Sequence, residues 1–276
     1  MILILGAKGM LGGALQKVFP DALAWDREEA DVTRLQDLRF KIEDLEIKPT
    51  AIINCVAFND VDGAEEKQDA AYLLNTEAPG NLAALCKDLS VPFVHFSTNY
   101  VFDGNAGEYQ ETDIPSPLSI YGQSKFLGEQ AIVEKGGQFY IIRTSVLFGP
   151  KGESDLSKKS FIDSMLDLST KSDTIKVVED EFFAITYVHD LAGAVQSLLL
   201  TMPKPGIYHL VNSGVTSWYD LAKEIFSIMH KDIIIIPVSS SEFPRKAERP
   251  KKAVLLNTKL SLLRSWQSAL KEFLAP

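Results

Sequence analysis

The sequence predicts an α/β protein built on a doubly wound parallel sheet, and three observations predict it. A short apolar run, Ile2-Leu3-Ile4-Leu5, leads straight into the glycine-bearing turn Gly6-Ala7-Lys8-Gly9-Met10-Leu11-Gly12. Apolar runs then alternate, as far as Arg143, with stretches whose apolar residues recur at helical spacing. That alternation favours parallel pairing through right-handed crossovers. Polar and hydroxyl-bearing residues gather where the runs end, which is where ligands bind in sheets of this kind.

Taken in order, residues 2–5 form the first strand, and Met10, Leu11, Ala14, Leu15 and Val18 mark the inward face of the helix that follows. Glycines let the backbone come close to a bound group, and the free N–H groups and positive dipole end of the helix face that group. A pyrophosphate suits the position; a tight turn without a ligand is the plainer alternative. Residues 22–25 form a second strand ending at Asp26 and Arg27. Asp26 lies twenty residues beyond Gly6, where a carboxylate meets an adenosine 2′-hydroxyl, whereas Arg27 or Lys8 would neutralise a 2′-phosphate. A solvated polar turn remains open for both. Asp31 and Val32 precede Thr33-Arg34-Leu35-Gln36, which fits a capping box for a helix running to Leu45. Residues 51–57 form the third strand, its end (residues 56–59) beside the glycine turn. Residues 64–89 read as helical, interrupted at Pro79 and Gly80, with Ala70, Leu73, Leu74, Ala78, Leu82 and Leu85 inward. Residues 91–98 form a fourth strand, and Ser97-Thr98-Asn99 stands at its carboxyl end.

A polar loop with two glycines and two prolines leads to a helix starting near Ser119. On it Tyr121 and Lys125, four apart, share one face. A free tyrosine titrates near about 10, so a cation that stabilises its phenolate would help it pass a proton near neutral pH. The same spacing recurs at Tyr219 and Lys223, in a capped amphipathic helix with no hydroxyl-rich strand end before it, and there it is expected to be structural. Residues 139–143 are a fifth strand, and the polar stretch 151–159 marks a boundary. We therefore expect a dinucleotide-binding domain over 1–150. Residues 151–276 would form a smaller, mainly substrate-binding α/β domain, with some segments returning to the first. Its elements are a helix over 161–168, a helix capped by Asp190 and running to Leu200, and strands at 175–178, 206–211 and 233–238. Arg245, Lys246, Arg249, Lys251 and Lys252 then form a basic cluster that could hold a diphosphate or lie as a solvated loop.

At 276 residues and 46% hydrophobic the chain can bury a full core, and its net charge of −9 argues against nucleic acid and anionic membrane as partners. No apolar run approaches a membrane span, and a first strand beginning at once after Met1 leaves no room for a signal peptide, so a cytoplasmic location is expected. Cys55, Cys86 and the four histidines are scattered, a pattern that suggests neither a disulfide nor a metal site.

Several stretches together resemble the extended short-chain dehydrogenase/reductases and, within them, the dTDP-4-dehydrorhamnose reductases. They are GAKGMLG at 6–12, DVT at 31–33, INCVAFNDVDGAE at 53–65, STNYVFDG at 97–104, YGQSKFLGE at 121–129, IIRTS at 141–145, GIYHL at 206–210 and AERP at 247–250. The resemblance implies a Rossmann sheet and a catalytic group of Thr98, Tyr121 and Lys125. It places Gly6, Gly9, Met10, Leu11, Asp26, Arg27, Asp31, Val32, Ala57, Phe58, Tyr121 and Lys125 about NADPH or NADH. It implies a dTDP-linked 4-keto-6-deoxyhexose near Thr98, Asn99, Val146 and Arg249, with the proton passing from Tyr121, whose pKa Lys125 lowers. A homodimer is compatible with it. Asn99 stands where the family usually has Asp, Val146 where it has Trp, and residues 180–186 keep an Asp and a Thr but lack the family's glycine and proline. Two other readings stay open: a non-catalytic NADP-binding subunit, resembling the regulatory subunit of methionine adenosyltransferase, and a sugar-nucleotide epimerase or dehydratase. Asn99 argues against a dehydratase, which usually needs an acid beside the Thr.

Overall fold

In a computed structural model that describes residues 1–154 and 159–275, six parallel strands form the central sheet. They are β1 (Ile2–Leu5), β2 (Leu23–Trp25), β3 (Ala51–Asn54), β4 (Phe93–Thr98), β5 (Phe139–Thr144) and β6 (Gly206–His209), in the order β6-β5-β4-β3-β1-β2. The predicted boundary at 151–159 falls partly outside the described residues.

Strand alternation divides the core between two faces. Ile4, Ile53, Val94 and Ile142 point to one, where α1 (Met10–Val18) supplies Leu11 and Leu15; Val195 and Leu198 lie there too. Leu3, Leu5, Ile52, Phe93 and Ile141 point to the other, against Leu38 and Ile42 of α2 (Leu35–Glu43) and Leu82 and Leu85 of α3 (Ala78–Asp88). The second face also receives α4 (Ile120–Lys135), which Ser119 caps by accepting Gly122 N–H at 3.2 Å. Two glycines bring α4 in: a Cβ on Gly122 would stand 2.2 Å from the Tyr100 carbonyl, and one on Gly128 2.0 Å from that of Asn75.

After β5 the chain builds a separate apolar cluster from α5 (Phe161–Leu168), α7 (Trp218–Ile228) and α8 (Trp266–Leu274), with the parallel strand pair Thr174–Val178 and Ile234–Val238. Between them α6 (Val188–Thr201) packs back on α1, and β6 joins the sheet beside β5.

Four local expectations differ from what forms. Thr33 does not cap α2: its hydroxyl and N–H both donate to Asp31 Oδ1, at 2.7 and 3.0 Å, an Asx-type turn that competes with the cap. Pro79 does not interrupt its helix, because a π-helical turn over Leu73–Glu77 precedes it and Pro79 falls in the first turn of α3. The same wide turn shifts the inward face, so that Leu73 is 39% exposed while Ala71 and Asn75 are fully buried. Asp190 does not cap α6; it lies inside the first turn and receives Arg264 Nε and Asn212 Nδ2 at 2.9 and 2.7 Å.

Candidate active site

The glycine turn is shaped by backbone contacts that no side chain could share. Gly6 has φ +77°, in the left-handed region, and a Cβ on Gly12 would lie 2.3 Å from the Gly6 carbonyl. The turn is stapled to the end of β2: Trp25 O accepts Gly6 and Ala7 N–H, and Asp26 Oδ2 accepts Lys8 N–H at 2.9 Å. Arg27 N–H donates to the other Asp26 oxygen, while the Lys8 ammonium is held by Glu28 at 2.5 Å. Met10 and Gly9 open α1 with no side-chain cap, leaving N–H groups of the kind that receive a phosphate. Leu11 and Val32 are core residues beneath this edge, and Asp31 holds Thr33. Across the turn lies Gly152, whose added Cβ would be 2.7 Å from Met10 N, and Ser154 N–H donates to Lys8 O.

Ala57 and Phe58 follow β3 in open chain, and buried Asn75 holds that chain to α4. Its Oδ1 accepts Phe58 N–H at 2.8 Å, and its Nδ2 donates to Phe58 O and to Ser124 Oγ. A lone Asn in a predicted helix carried no signal of this; its place in a π turn, a frequent mark of functional sites, appears only in the structure.

Thr98 ends β4, where its hydroxyl accepts Tyr100 N–H at 3.2 Å and stands near enough to the Tyr121 phenol to act on its acidity. The Tyr100 ring meets Tyr121 edge-on, 5.9 Å between centroids, and Tyr100 in turn lies beside Arg249. Thr98, Tyr121 and Arg249 thus line one wall. Burial pushes the Tyr121 phenol up to about 12, with the Thr98 hydroxyl drawing it partly back. Lys125 is anchored beneath the phenol. Its Nζ donates to Phe96 O at 2.6 Å and meets His95 Nε2 at 3.2 Å. Burial pushes Lys125 down to about 8 against the attraction of Glu129. The second pair is separate: Lys223 sits 5.3 Å over the Tyr219 ring in a cation–π contact on α7.

Beneath this wall runs a buried polar chain that sequence reading missed. Glu129 accepts Arg143 through both oxygens, at 2.9 and 2.6 Å, and Ser97 Oγ at 2.5 Å. Arg143 reaches His209 Nε2, and burial lowers His209 to about 4. Its partners lie 14, 32 and 66 residues apart in sequence, beyond any local pattern.

On the sugar side two expectations change. The Asn99 amide donates to Ala253 O at 3.1 Å, so it clasps the chain rather than facing open space. Val146, implied to lie near the sugar, has a φ of +32°, strained for a β-branched residue, and packs against the C-terminal core. The basic cluster is no bare cationic patch, since Arg245 pairs with Glu181, Lys246 with Glu66, Lys251 with Asp180, and Arg249 bidentately with Asp62 at 2.7 and 3.1 Å. A cleft of about 420 Å³ opens there, lined among others by Asp103, Leu118, Phe243, Arg245 and Arg249. The Ser145 hydroxyl, one residue past the strand partner of Thr98, is buried without a partner among the described residues.

A doubly wound sheet with a glycine turn on its first strand and a Thr–Tyr–Lys group at its carboxyl edge is that of a short-chain dehydrogenase/reductase. The family described as RmlD substrate binding domain matches residues 1–276, and the chain belongs to it, as a sugar-nucleotide oxidoreductase of the dTDP-4-dehydrorhamnose reductase kind. The chain is similar to a dTDP-4-dehydrorhamnose reductase of Burkholderia thailandensis, 35% identical over 94% of this chain and 91% of that one. It is 36% identical, over 98% and 93%, to a probable dTDP-4,6-dihydroxy-2-methyloxan-3-one 4-ketoreductase of Streptomyces antibioticus. A dTDP-4-dehydrorhamnose reductase from Bacillus anthracis, solved in complex with NADP, superposes with a TM-score of 0.92 at 34% identity, covering 99% of this chain and 97% of that one. Among the described residues no helix is long and apolar enough to cross a membrane.

Proposed function

We propose that the protein reduces a dTDP-linked 4-keto-6-deoxy sugar with NADPH or NADH, converting dTDP-4-dehydrorhamnose to dTDP-rhamnose. The observation that carries this reading is the Tyr121 phenol, beside Thr98 at the carboxyl edge of the sheet. The turn fits a dinucleotide because its N-cap, Gly9, has no side chain to cap α1, and Gly12 lets the turn fold closely onto the helix. Gly6, Gly9 and Met10 would hold its pyrophosphate, Asp26 or Arg27 its ribose, and Ala57 and Phe58 would lie alongside.

A bound nicotinamide supplies hydride to the sugar carbonyl carbon. The chain's own part is the proton. A phenol raised to about 12 is fully protonated near neutral pH, so Tyr121 stands ready to give its O–H proton to the carbonyl oxygen, which Thr98 Oγ1 orients. Lys125, lowered to about 8, lies close to physiological pH and can exchange a proton. Arg249 would meet the substrate diphosphate after parting from Asp62, and the cleft beside it would take the nucleotide. Assaying reduced-nicotinamide oxidation against dTDP-, UDP- and GDP-linked 4-keto sugars tests this: turnover confined to dTDP-linked 4-keto-6-deoxy sugars supports it. Cofactor binding without turnover, with a partner protein co-purifying, would favour the regulatory reading.

A further inference from the structure

The protonation of Lys125 is written into the hydrogen bonds beneath it. Val56 N–H, a fixed donor, points at Asn54 Oδ1 at 3.0 Å, which fixes the amide with Nδ2 toward His95 Nδ1 at 3.1 Å. An amide nitrogen can only donate there, so His95 Nδ1 is the acceptor. A neutral imidazole carries one proton, and it therefore lies on Nε2, which faces Lys125 Nζ at 3.2 Å. Turning the ring over would exchange both nitrogens for carbons and lose both contacts. His95 is 1% exposed and stacks on Phe93, and burial together with the nearby Lys125 holds its pKa well below the usual histidine value.

We propose that His95, oriented by Asn54, is a positioning residue that donates its Nε2 proton to Lys125 Nζ and so favours the neutral amine of Lys125 over its ammonium before cofactor arrives. The proton count closes. The amine lone pair accepts from His95, one N–H donates to Phe96 O at 2.6 Å, and one N–H is left for a ligand. The surrounding charges agree. From α4 itself the nearest carboxylate is Glu129, already bound to Arg143 of β5 through both oxygens and to Ser97 of β4. One turn back on α4 is Tyr121, a neutral phenol. A buried ammonium here would have no free counter-charge, which is costly. The consequence for reduction is that Lys125 takes up a proton on its lone pair only when its contact with the imidazole is given up or the tautomer shifts.

The role in turnover rests on the reductive reading above; the protonation state does not, and it is read without substrate. Nitrogen NMR of histidine-labelled, cofactor-free protein is expected to show the His95 signals, identified by their loss in His95→Gln, as Nε2-protonated with a bare Nδ1. The Lys125 side-chain signals should titrate well below the ordinary lysine value. Asn54→Asp keeps the shape and still accepts Val56 N–H, but its second oxygen demands a proton on Nδ1. Nε2 then becomes an acceptor and favours the ammonium, so Lys125 should titrate at least about one unit higher. His95→Gln, whose amide can still donate, should stay closer to the native value. An Nδ1-protonated His95 in the native protein, or an unmoved Lys125 in Asn54→Asp, would overturn the proposal. Native NMR as expected in a protein without turnover would instead overturn only the reductive reading.

Discussion

Gly12 and Gly13 are adjacent on α1, yet replacing each with alanine should have opposite effects. At Gly13 an added Cβ meets nothing within 4 Å, so alanine only reduces the freedom of the unfolded chain and improves the helix, a gain of about 0.5–1 kcal/mol. At Gly12 the Cβ would fall 2.3 Å from Gly6 O and 2.8 Å from Ala7 Cα and O, all backbone atoms that cannot swing aside. Restoring ordinary contact moves the turn by roughly 1 Å, and overpacking of this kind costs about 1–3 kcal/mol. The displaced atoms are those that present the start of α1 to a pyrophosphate. If the same strain is felt on binding, cofactor affinity falls about tenfold to a hundredfold. Thermal unfolding gives the stability change and titration of reduced-nicotinamide fluorescence the affinity. Gly12→Ala with native affinity, or Gly13→Ala losing as much as Gly12→Ala, would refute the reasoning.

Asn99→Asp restores the family's carboxylate but sets it against Ala253 O, so it should lower stability by about 1–3 kcal/mol, measurable by urea unfolding. Asp26→Ala should shift the ratio of NADH to NADPH affinity toward NADPH and also loosen the glycine turn, since Asp26 accepts Lys8 N–H; an unmoved ratio would separate Asp26 from the ribose. His209 has a folded pKa lowered to about 4, below its unfolded value, so its contribution to stability is present above about 6.5 and is lost as pH falls toward 4. Denaturation midpoints across that window should drop in the native protein and drop less in His209→Gln.

How much of this was legible depends on the distance over which each feature is specified. The strands, the glycine turn and α4 are local: apolar runs, a Ser119 cap and Tyr-x-x-x-Lys spacing lie within a few residues of one another, and the structure reproduces them. Thr33 failed as a cap because Asp31, two residues away, offers its hydroxyl a better acceptor than the helix offers a donor. Counting helical periods through residues 64–89 misplaced Leu73 because the π turn over Leu73–Glu77 inserts an extra residue and shifts the face. The Asn54–His95–Lys125 and Ser97–Glu129–Arg143–His209 chains were invisible, since each link joins separate strands and helices. The pairing of the basic cluster was hidden for the same reason: Arg249 and Asp62 are 187 residues apart.

The central claim is that Tyr121, not merely a Tyr-x-x-x-Lys pattern, delivers the proton. It is tested most directly by the rate of reduced-nicotinamide oxidation with a dTDP-linked 4-keto-6-deoxy sugar in Tyr121→Phe and Tyr219→Phe. The account predicts a loss of about 10²–10⁴-fold in kcat for Tyr121→Phe with cofactor affinity and folding kept, and near-native turnover for Tyr219→Phe. Equal losses in the two variants, or full turnover in Tyr121→Phe, would contradict it.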